Sequence, residues 1–308
     1  MGRSPSAAVL PRCSLLAAAL AACLAPAAAE AQLLGQVFVE VTRRSTGEPV
    51  LDLSPEDFEV AENGRSAGIL SADLDAHPMK IAVLIDNGDR LMEANALNPL
   101  RAGLDGFLDT LAPGHEISLV TIGRSVQQRV DFTTDRAALK DGVDLLFPDR
   151  GAGARLLDGV RETWDRRFEE DDAFPVMVLV LTDGTETSGN YNDNRYADLL
   201  NPLIAHGVTV HAVMLATRGG VRAQQRLPQY ALSIVENTGG SVDTFVAPTG
   251  YENVLPRLAE RMNEHYAVVS KRYRLVFERP DPPGTRLSVS VTGSDLAFSL
   301  HMDRRTQR

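Results

Sequence analysis

Residues 80–90 read KIAVLIDNGDR, and residues 176–186 read VMVLVLTDGTE. In each stretch an apolar run leads to an aspartate, Asp86 in the first and Asp183 in the second. A continuous apolar run of this length indicates a strand that is buried on both faces, as in a parallel sheet. Ligands of open parallel sheets bind beyond the carboxyl ends of the strands. The two aspartates are therefore predicted to meet at one functional edge.

Strand and helix patterns alternate around these two stretches. Further strands are predicted at residues 117–122 and 208–215, with an edge-type strand at residues 126–132. Apolar residues at helical spacing predict helices between the strands. These helical sets begin at Leu97, Leu139, Leu157, Leu199 and Val254. The pattern predicts the α/β fold class, with a doubly wound, mostly parallel sheet.

The segments on either side of this region carry β patterns instead. Val37, Val39 and Val41 alternate with other residues, and Asn63-Gly64 is a strong signal for a two-residue hairpin. Residues 273–277 and 287–291 alternate in the same way. A lone hairpin buries too little apolar surface to be stable, so we expect the two segments to pack together as a small antiparallel sandwich. The predicted organisation is a signal peptide at 1–31, β segments at 32–78 and 263–308, and an inserted α/β domain at 79–262.

The first 31 residues have the features of a secretory signal. Two arginines precede an apolar run, Ser14–Cys23, that is too short to span a bilayer. Ala29-Glu30-Ala31 fits ordinary signal cleavage, whereas Leu20-Ala21-Ala22-Cys23 resembles the bacterial lipobox, in which Cys23 is acylated. We expect an exported protein, periplasmic or secreted, that is attached to a membrane only if Cys23 is lipidated.

Charge, cysteine positions and missing motifs argue against several classes of function. The 308 residues include 31 basic and 41 acidic side chains, for a formal net charge of -10, and this negative field disfavours binding to nucleic acid. The two cysteines, Cys13 and Cys23, both lie in the signal segment, so a cysteine-based zinc site or a disulfide framework further along the chain is excluded. A Gly-x-Ser-x-Gly nucleophile motif and a glycine-rich phosphate loop after the first strand are also absent from the sequence.

Three motifs carry a family resemblance. The strand that ends at Asp86, the helix opening Leu156-Leu157-Asp158, and VLVLTDG at residues 178–184 resemble a von Willebrand factor type A domain. Residues 53–64, LSPEDFEVAENG, resemble the β segment that precedes this domain in a group of exported bacterial proteins. The resemblance covers roughly residues 37–291. It implies the doubly wound fold and the binding of another protein as the function.

The resemblance also implies a divalent cation, usually magnesium. Its metal-ion-dependent adhesion site uses Asp-x-Ser-x-Ser, a later threonine and the aspartate of the TDG loop, because hard cations take oxygen ligands. Asp86 and Asp183 match the two aspartates. Gly88, Arg90 and Ala154 stand where the family has serine, serine and threonine. Without these three hydroxyl groups a standard site is not expected to form, and no cofactor is predicted.

Arg90 has two interpretations. Its guanidinium either takes the place of the cation and pairs with Asp86 or Asp183, or is a solvated residue in the first turn of a helix. The nearby carboxylates Asp89 and Glu186 leave open weak metal binding through relocated ligands.

The sequence thus predicts an exported, non-catalytic adhesion or scaffold module that binds another protein. Asn87, Asp89, Gly184, Thr185 and Glu186 are the predicted binding-loop residues. One alternative is a cation-dependent adhesion domain with relocated ligands. Another, from a different class, is a hydrolase that uses Asp86 and Asp183 as acid and base.

Overall fold

A computed structural model describes residues 33–168, 174–216 and 226–304. The predicted signal peptide, with the cleavage position after Ala31 and the lipidation candidate Cys23, lies outside the described residues. Within the described ranges, every helix is too short or too polar to cross a membrane.

The described residues form twelve strands, seven α-helices and a short 3-10 turn at Pro55–Asp57. The strands are β1 (Leu34–Arg43), β2 (Phe58–Glu62), β3 (Arg65–Leu74), β4 (Met79–Ile85), β5 (Glu116–Thr121), β6 (Gln127–Thr133), β7 (Phe174–Thr182), β8 (Thr209–Leu215), β9 (Val242–Phe245), β10 (Tyr273–Glu278), β11 (Leu287–Val291) and β12 (Leu296–His301). The helices are α1 (Asp89–Glu93), α2 (Leu97–Thr110), α3 (Arg136–Asp144), α4 (Leu156–Arg167), α5 (Asp193–Ala205), α6 (Arg226–Thr238) and α7 (Gly250–Val269).

The α/β domain is built on a six-stranded sheet of order β6-β5-β4-β7-β8-β9. All of its pairings are parallel except that of β6, the antiparallel edge strand. Every residue of β7 is buried, as the continuous apolar run predicted. The chain passes from β4 to β5 on one side and later to β7 on the other, so strand order reverses between β4 and β7. The predicted α/β class with a mostly parallel sheet is confirmed.

Helices cover both faces of this sheet. One core lies under α2, α3 and α7, and the other lies under α4, α5 and α6. The α6 helix and the β9 strand were not predicted from the sequence. The α6 helix buries Leu227, Ala231 and Ile234 at helical spacing, but Ala231 is a weak hydrophobic marker and Pro228 lies in the first turn. The four residues of β9 are too few for a clear alternating pattern.

The predicted end of the α/β domain at residue 262 falls inside α7. This helix continues to Val269, which is fully buried in the same core as Met262. Tyr266 also packs against that core. The apolar period therefore persists for two more turns, and the C-terminal β segment begins at Tyr273 rather than at residue 263.

Strands from both flanking segments form a second, antiparallel sheet of order β11-β2-β3-β10-β1-β12. Two ladders, β11-β2-β3 and β3-β10-β1-β12, share β3, so the two halves of the expected sandwich are joined into one sheet around one core. Asn63 and Gly64 form the predicted hairpin turn between β2 and β3, with φ angles of 49° and 80°. Left-handed backbone at both positions suits a tight hairpin.

Glu62, from the LSPEDFEVAENG motif, fastens the C-terminal segment to this hairpin. Its Oε1 accepts a hydrogen bond of 2.7 Å from Arg279 Nε, and its Oε2 accepts one of 2.7 Å from the Gly284 backbone N–H. The hydrogen bond from Arg279 is the largest cause of the lowered pKa of this buried carboxyl group. The glutamate of the motif therefore has a structural task.

A buried ion pair joins the antiparallel sheet to the α/β domain. Arg304 donates to both carboxylate oxygens of Asp75, from Nε at 2.8 Å and from Nη2 at 3.1 Å. The Arg304 guanidinium also lies 5.2 Å from the ring centroid of Phe38 in β1 and 4.6 Å from that of Phe174 in β7. Phe174 is the first residue of β7. The junction therefore lies at the amino ends of the parallel strands, opposite the predicted functional edge.

We predict that Arg304→Met lowers the free energy of unfolding by about 3–5 kcal/mol, because it leaves the buried Asp75 charge without its partner. The double variant Asp75→Asn/Arg304→Met should recover part of that loss. Urea unfolding at pH 7 measures both, with the exposed Arg257→Met as the control. Equal effects of Arg304→Met and Arg257→Met would contradict the assignment.

A second prediction concerns pH. His211, in β8, is buried, and its Nδ1 accepts a hydrogen bond of 3.1 Å from the Ser241 backbone N–H. Burial, with smaller effects of His265 and Arg261, lowers the pKa of His211 to about 3. The unfolded chain binds this proton below its ordinary pKa of about 6.5, so stability should fall as pH drops from 6.5 toward 3.

Between pH 7 and pH 5, protonation of His211 in the unfolded chain should lower the free energy of unfolding by about 2 kcal/mol. His211→Asn keeps an acceptor for Ser241 and should flatten the pH dependence of urea unfolding over that interval. The exposed His77→Asn is the matched control. An unchanged pH dependence in His211→Asn would show that this histidine is not held neutral by the fold.

Candidate functional site

Asp86 lies directly after β4, at the point where strand order reverses. The residue is only 3% exposed. Its Oδ1 accepts a hydrogen bond of 2.9 Å from the Gly88 N–H, and its Oδ2 accepts bonds from Thr182, 3.2 Å from the backbone N–H and 2.5 Å from the hydroxyl. Burial raises the pKa of Asp86, and these hydrogen bonds oppose the increase. Groups of the chain itself thus satisfy both carboxylate oxygens.

Arg90 and Asp183 join the two predicted loops. Arg90 Nη2 lies 3.3 Å from Asp183 Oδ1, and Arg90 Nε donates a 3.1 Å hydrogen bond to the backbone oxygen of Asp183. Arg90 Nη1 also pairs with Glu93 Oε2 at 2.7 Å. Of the two interpretations of Arg90, the structure therefore shows pairing with Asp183. The guanidinium links α1 to the loop that follows β7.

Gly88 allows a close approach between loops. A Cβ atom at this position would lie 2.6 Å from the backbone oxygen of Ala152, closer than real Cβ contacts. That oxygen accepts a 3.0 Å hydrogen bond from the Asp89 N–H. The backbone at residue 152 thus lies where a serine side chain at position 88 would begin.

Ala154 is buried and pairs through its backbone with the loop after β7. Its N–H donates a 3.1 Å hydrogen bond to the Thr185 oxygen, and its own oxygen accepts a 2.7 Å bond from the Thr187 N–H. Ala154 and Glu186 form an isolated parallel bridge. At the position where the family has a threonine, Ala154 therefore places only a methyl group, which packs in the core beneath the loops.

Asn87 and Asp89 hold the neighbouring loop. Asn87 is buried, donates from Nδ2 to the Phe147 oxygen at 3.0 Å, and accepts at Oδ1 from the Gly123 N–H at 3.0 Å. Asp89 Oδ1 accepts a 2.6 Å hydrogen bond from the Gly151 N–H. Asn87 was predicted as a binding-loop residue, but the structure places its side chain within the loop framework.

Glu186 also binds to the chain itself. Its Oε2 accepts a 3.0 Å hydrogen bond from the Leu156 N–H at the start of α4, and its Oε1 accepts one of 2.7 Å from the Ser188 N–H. Burial raises the pKa of Glu186 above its ordinary value. Gly184 is buried, whereas Thr185 exposes its side chain. Of these three predicted loop residues, Thr185 is the one that faces outward.

Two residues have supporting roles that were not predicted from the sequence. Thr182 holds Asp86 in place, and Asp158 accepts hydrogen bonds from the Gly189 N–H at 3.2 Å and the Tyr191 hydroxyl at 3.2 Å. The role of Thr182 could have been predicted from the sequence. This residue is the one hydroxyl side chain at the end of the apolar strand β7, and it lies next to Asp183. The role of Asp158 depends on the course of the loop after β7, which has no repeating pattern.

The donor set does not fit a divalent cation. Asp86 is satisfied by N–H and O–H donors, Asp183 faces the Arg90 cation, and Gly88 and Ala154 supply no side-chain oxygen. The relocated ligands proposed from the sequence, Asp89 and Glu186, cap backbone N–H groups. In the described parts of the chain, no group of three or more His, Cys, Asp or Glu side chains is arranged to hold a metal ion.

One solved structure, a von Willebrand factor type A protein, confirms the fold. A von Willebrand factor type A protein from Catenulispora acidiphila superposes with a TM-score of 0.52 at 11% identity, covering 87% of this chain and 72% of that one. The chain also aligns with proximal thread matrix protein 1 from the mussel byssus (TM-score 0.47, 13% identity, 79% and 51% covered). A third match is the conserved hypothetical protein BatB from Bacteroides thetaiotaomicron. It aligns with a TM-score of 0.45 at 11% identity, and the alignment covers 61% of this chain and 99% of that one. No protein-family model and no curated protein sequence matches the chain. The chain has the von Willebrand factor type A fold.

We predict that calorimetric titration with magnesium or manganese chloride, up to about 1 mM free cation, gives no saturable binding. Arg90→Ser should also fail to bind, because Gly88 and Ala154 still lack the other two hydroxyl oxygens. Thermal unfolding with and without EDTA provides a second readout and should not change. Saturable binding that is lost in Asp86→Asn would contradict the prediction and favour a cation-dependent domain.

Proposed function

We propose that this protein is a non-catalytic module that binds another protein through the loops at the carboxyl edge of its parallel sheet, without a bound cation. The observation that carries the proposal is the pairing of Arg90 with Asp183. A positive charge from the chain itself lies between the two loops that the resemblance assigns to a metal site. The edge is therefore held together by the protein's own side chains.

The construction of the edge supports binding rather than turnover. Asp86, Asn87 and Glu186 use their polar atoms to fix backbone groups of neighbouring loops. Loops held in this way present a preformed surface, which reduces the entropy lost on binding a partner. Thr185, Thr187, Gly189 and Asn190 form the exposed part of that surface.

The placement of ionisable groups gives no support to a hydrolase. The two carboxylates proposed as acid and base are Asp86, which is buried and satisfied, and Asp183, which is paired with Arg90. The histidines of the α/β domain lie toward the amino ends of the strands or in the last turns of α7, far from this edge. His77 and His115 precede β4 and β5, and His206 follows α5.

The expected location supports a partner outside the cytoplasm. Residues 1–31 have the pattern of an export signal, and Cys23 is the candidate for lipid attachment. We include export, to the periplasm or beyond it, in the proposal. The partner would then be another exported or envelope protein.

Thr185→Arg tests the proposed surface. The protein is purified from its natural host by a mild affinity step in EDTA, and co-purifying proteins are identified and quantified by mass spectrometry. We expect a partner that is retained in EDTA and reduced at least about tenfold by Thr185→Arg, because a bulky cation then stands at the centre of the interface.

Thr285→Arg is the matched control, since Thr285 is exposed in the loop between β10 and β11. It should leave the partner bound. Equal loss in both variants, or release of the partner by EDTA, would contradict the proposed surface. Turnover of phosphatase or esterase substrates that is lost in Asp183→Asn would instead favour an enzyme.

A further inference from the structure

Two exposed apolar side chains lie beside the candidate site. Leu145 is 73% exposed and Phe147 is 56% exposed, and both lie in the connection from α3 to α4. Leu146, between them, is buried in the core. The connection leads to Ala154, whose backbone pairs with the loop after β7. The two apolar side chains therefore adjoin the carboxyl edge of the parallel sheet.

This connection is fixed on both sides of Phe147. The Leu146 oxygen accepts a hydrogen bond from Arg101 Nη2, and the Phe147 oxygen accepts one of 3.0 Å from Asn87 Nδ2. The Asp149 N–H donates a 2.7 Å hydrogen bond to the Asn87 backbone oxygen. The framework of the edge thus holds Phe147 in its exposed position. An apolar side chain that is held outward next to a candidate binding edge is suited to contact with a partner.

Three arginines lie around Phe147. The guanidinium carbon of Arg129 lies 5.1 Å from the centroid of the Phe147 ring. Arg124 Nε pairs with Asp149 Oδ1 at 3.1 Å, and Arg124 Nη2 donates to the backbone oxygen of Arg150. In the described parts of the chain, Asp149 is the one carboxylate that pairs with these three arginines. Positive charge therefore exceeds negative charge around Phe147, although the whole chain has a net charge of -10.

We propose that the Phe147 patch, formed by Arg124, Arg129, Leu145, Phe147 and Arg150, binds an acidic segment of the protein partner that also carries aromatic or aliphatic side chains. This inference rests on the proposed function, since it gives the chemistry of the partner at the same edge. Carboxylates of the segment pair with the guanidinium groups, whose planar forks suit carboxylate geometry. The apolar side chains of the segment cover Leu145 and Phe147.

The combination of charge and apolar exposure selects this occupant. The net charge of the chain repels an acidic partner, whereas the three arginines attract it, so the partner is directed to this patch in one orientation. A small anion such as inorganic phosphate could meet the arginines but would leave Phe147 and Leu145 uncovered. A second copy of this chain would bring arginines to arginines.

Fluorescence anisotropy with a labelled random copolymer of glutamate and tyrosine tests the patch directly. The sample is the full-length protein, purified from its natural host after its normal processing, in about 50 mM salt, where charge pairs are weakly screened. The copolymer combines carboxylates with aromatic rings and should bind saturably. Polyglutamate of equal length lacks the rings and should bind at least about tenfold more weakly. Failure of the copolymer to bind, or equal binding of polyglutamate, would overturn the proposal.

Two substitutions in the patch, each with a matched control, locate the copolymer. Phe147→Ser should weaken its binding at least about tenfold, whereas Phe298→Ser, at an exposed phenylalanine of β12, should not. Arg150→Glu should weaken binding at least about fivefold, whereas Arg257→Glu makes the same change of charge in α7 and should not. Equal weakening within either pair would overturn the proposal. Circular dichroism of each variant separates loss of binding from loss of folding.

Two further probes test other classes of occupant. Vesicles of phosphatidylglycerol and phosphatidylcholine report binding to an anionic lipid surface, and labelled oligo-dT reports binding to nucleic acid. Both should bind more weakly than the glutamate–tyrosine copolymer. Tighter binding of either probe that is weakened by Phe147→Ser would overturn an acidic protein segment as the occupant.

Co-purification from the natural host separates this inference from the proposed function. A partner that is reduced at least about tenfold by Phe147→Ser as well as by Thr185→Arg supports both. A partner that is reduced by Thr185→Arg but retained by Phe147→Ser and Arg150→Glu leaves the proposed function standing and overturns the Phe147 patch. Retention of the partner by all three variants contradicts both.

Discussion

The buried pair between Asp75 and Arg304 is the interaction on which the arrangement of the two sheets depends. Asp75 lies between β3 and β4, where the chain enters the α/β domain, and Arg304 follows the last strand, after the chain has left it. Their contact closes the loop formed by the inserted domain. Because Arg304 also packs against Phe38 and Phe174, the antiparallel sheet is held at the amino ends of the parallel strands. The carboxyl edge on the opposite side stays open.

That open edge has the backbone arrangement of a type A domain, but its charged side chains are paired differently. A divalent cation would normally neutralise aspartates that meet at the ends of two buried strands. Here Thr182 and Gly88 satisfy Asp86, and Arg90 pairs with Asp183. At the position where the family has a hydroxyl ligand, Arg90 forms an ion pair with Asp183. A partner would then meet a preformed protein surface.

Several features could be predicted from particular residues. The apolar runs before Asp86 and Asp183 located the central strands, and Asn63-Gly64 located the first hairpin. The substitutions at positions 88, 90 and 154 suggested an altered metal site. Two elements were not predicted. The apolar pattern of α6 is weakened by a proline and an alanine, and the pattern of β9 is too short. The end of α7 was placed too early, although Tyr266 and Val269 continue its apolar face.

The sequence alone determined the class of fold, since apolar periodicity is a local property that follows from the geometry of strands and helices. It also determined which oxygen ligands are absent, because that depends only on residue type. Tertiary structure decided which acceptor Arg90 uses, why Gly88 has no room for a side chain, and which partner the buried Asp75 carboxylate has. These features depend on contacts between residues such as Arg90 and Asp183, or Gly88 and Ala152, which are far apart in the chain. Their geometry is set by how whole elements pack, which no local pattern records.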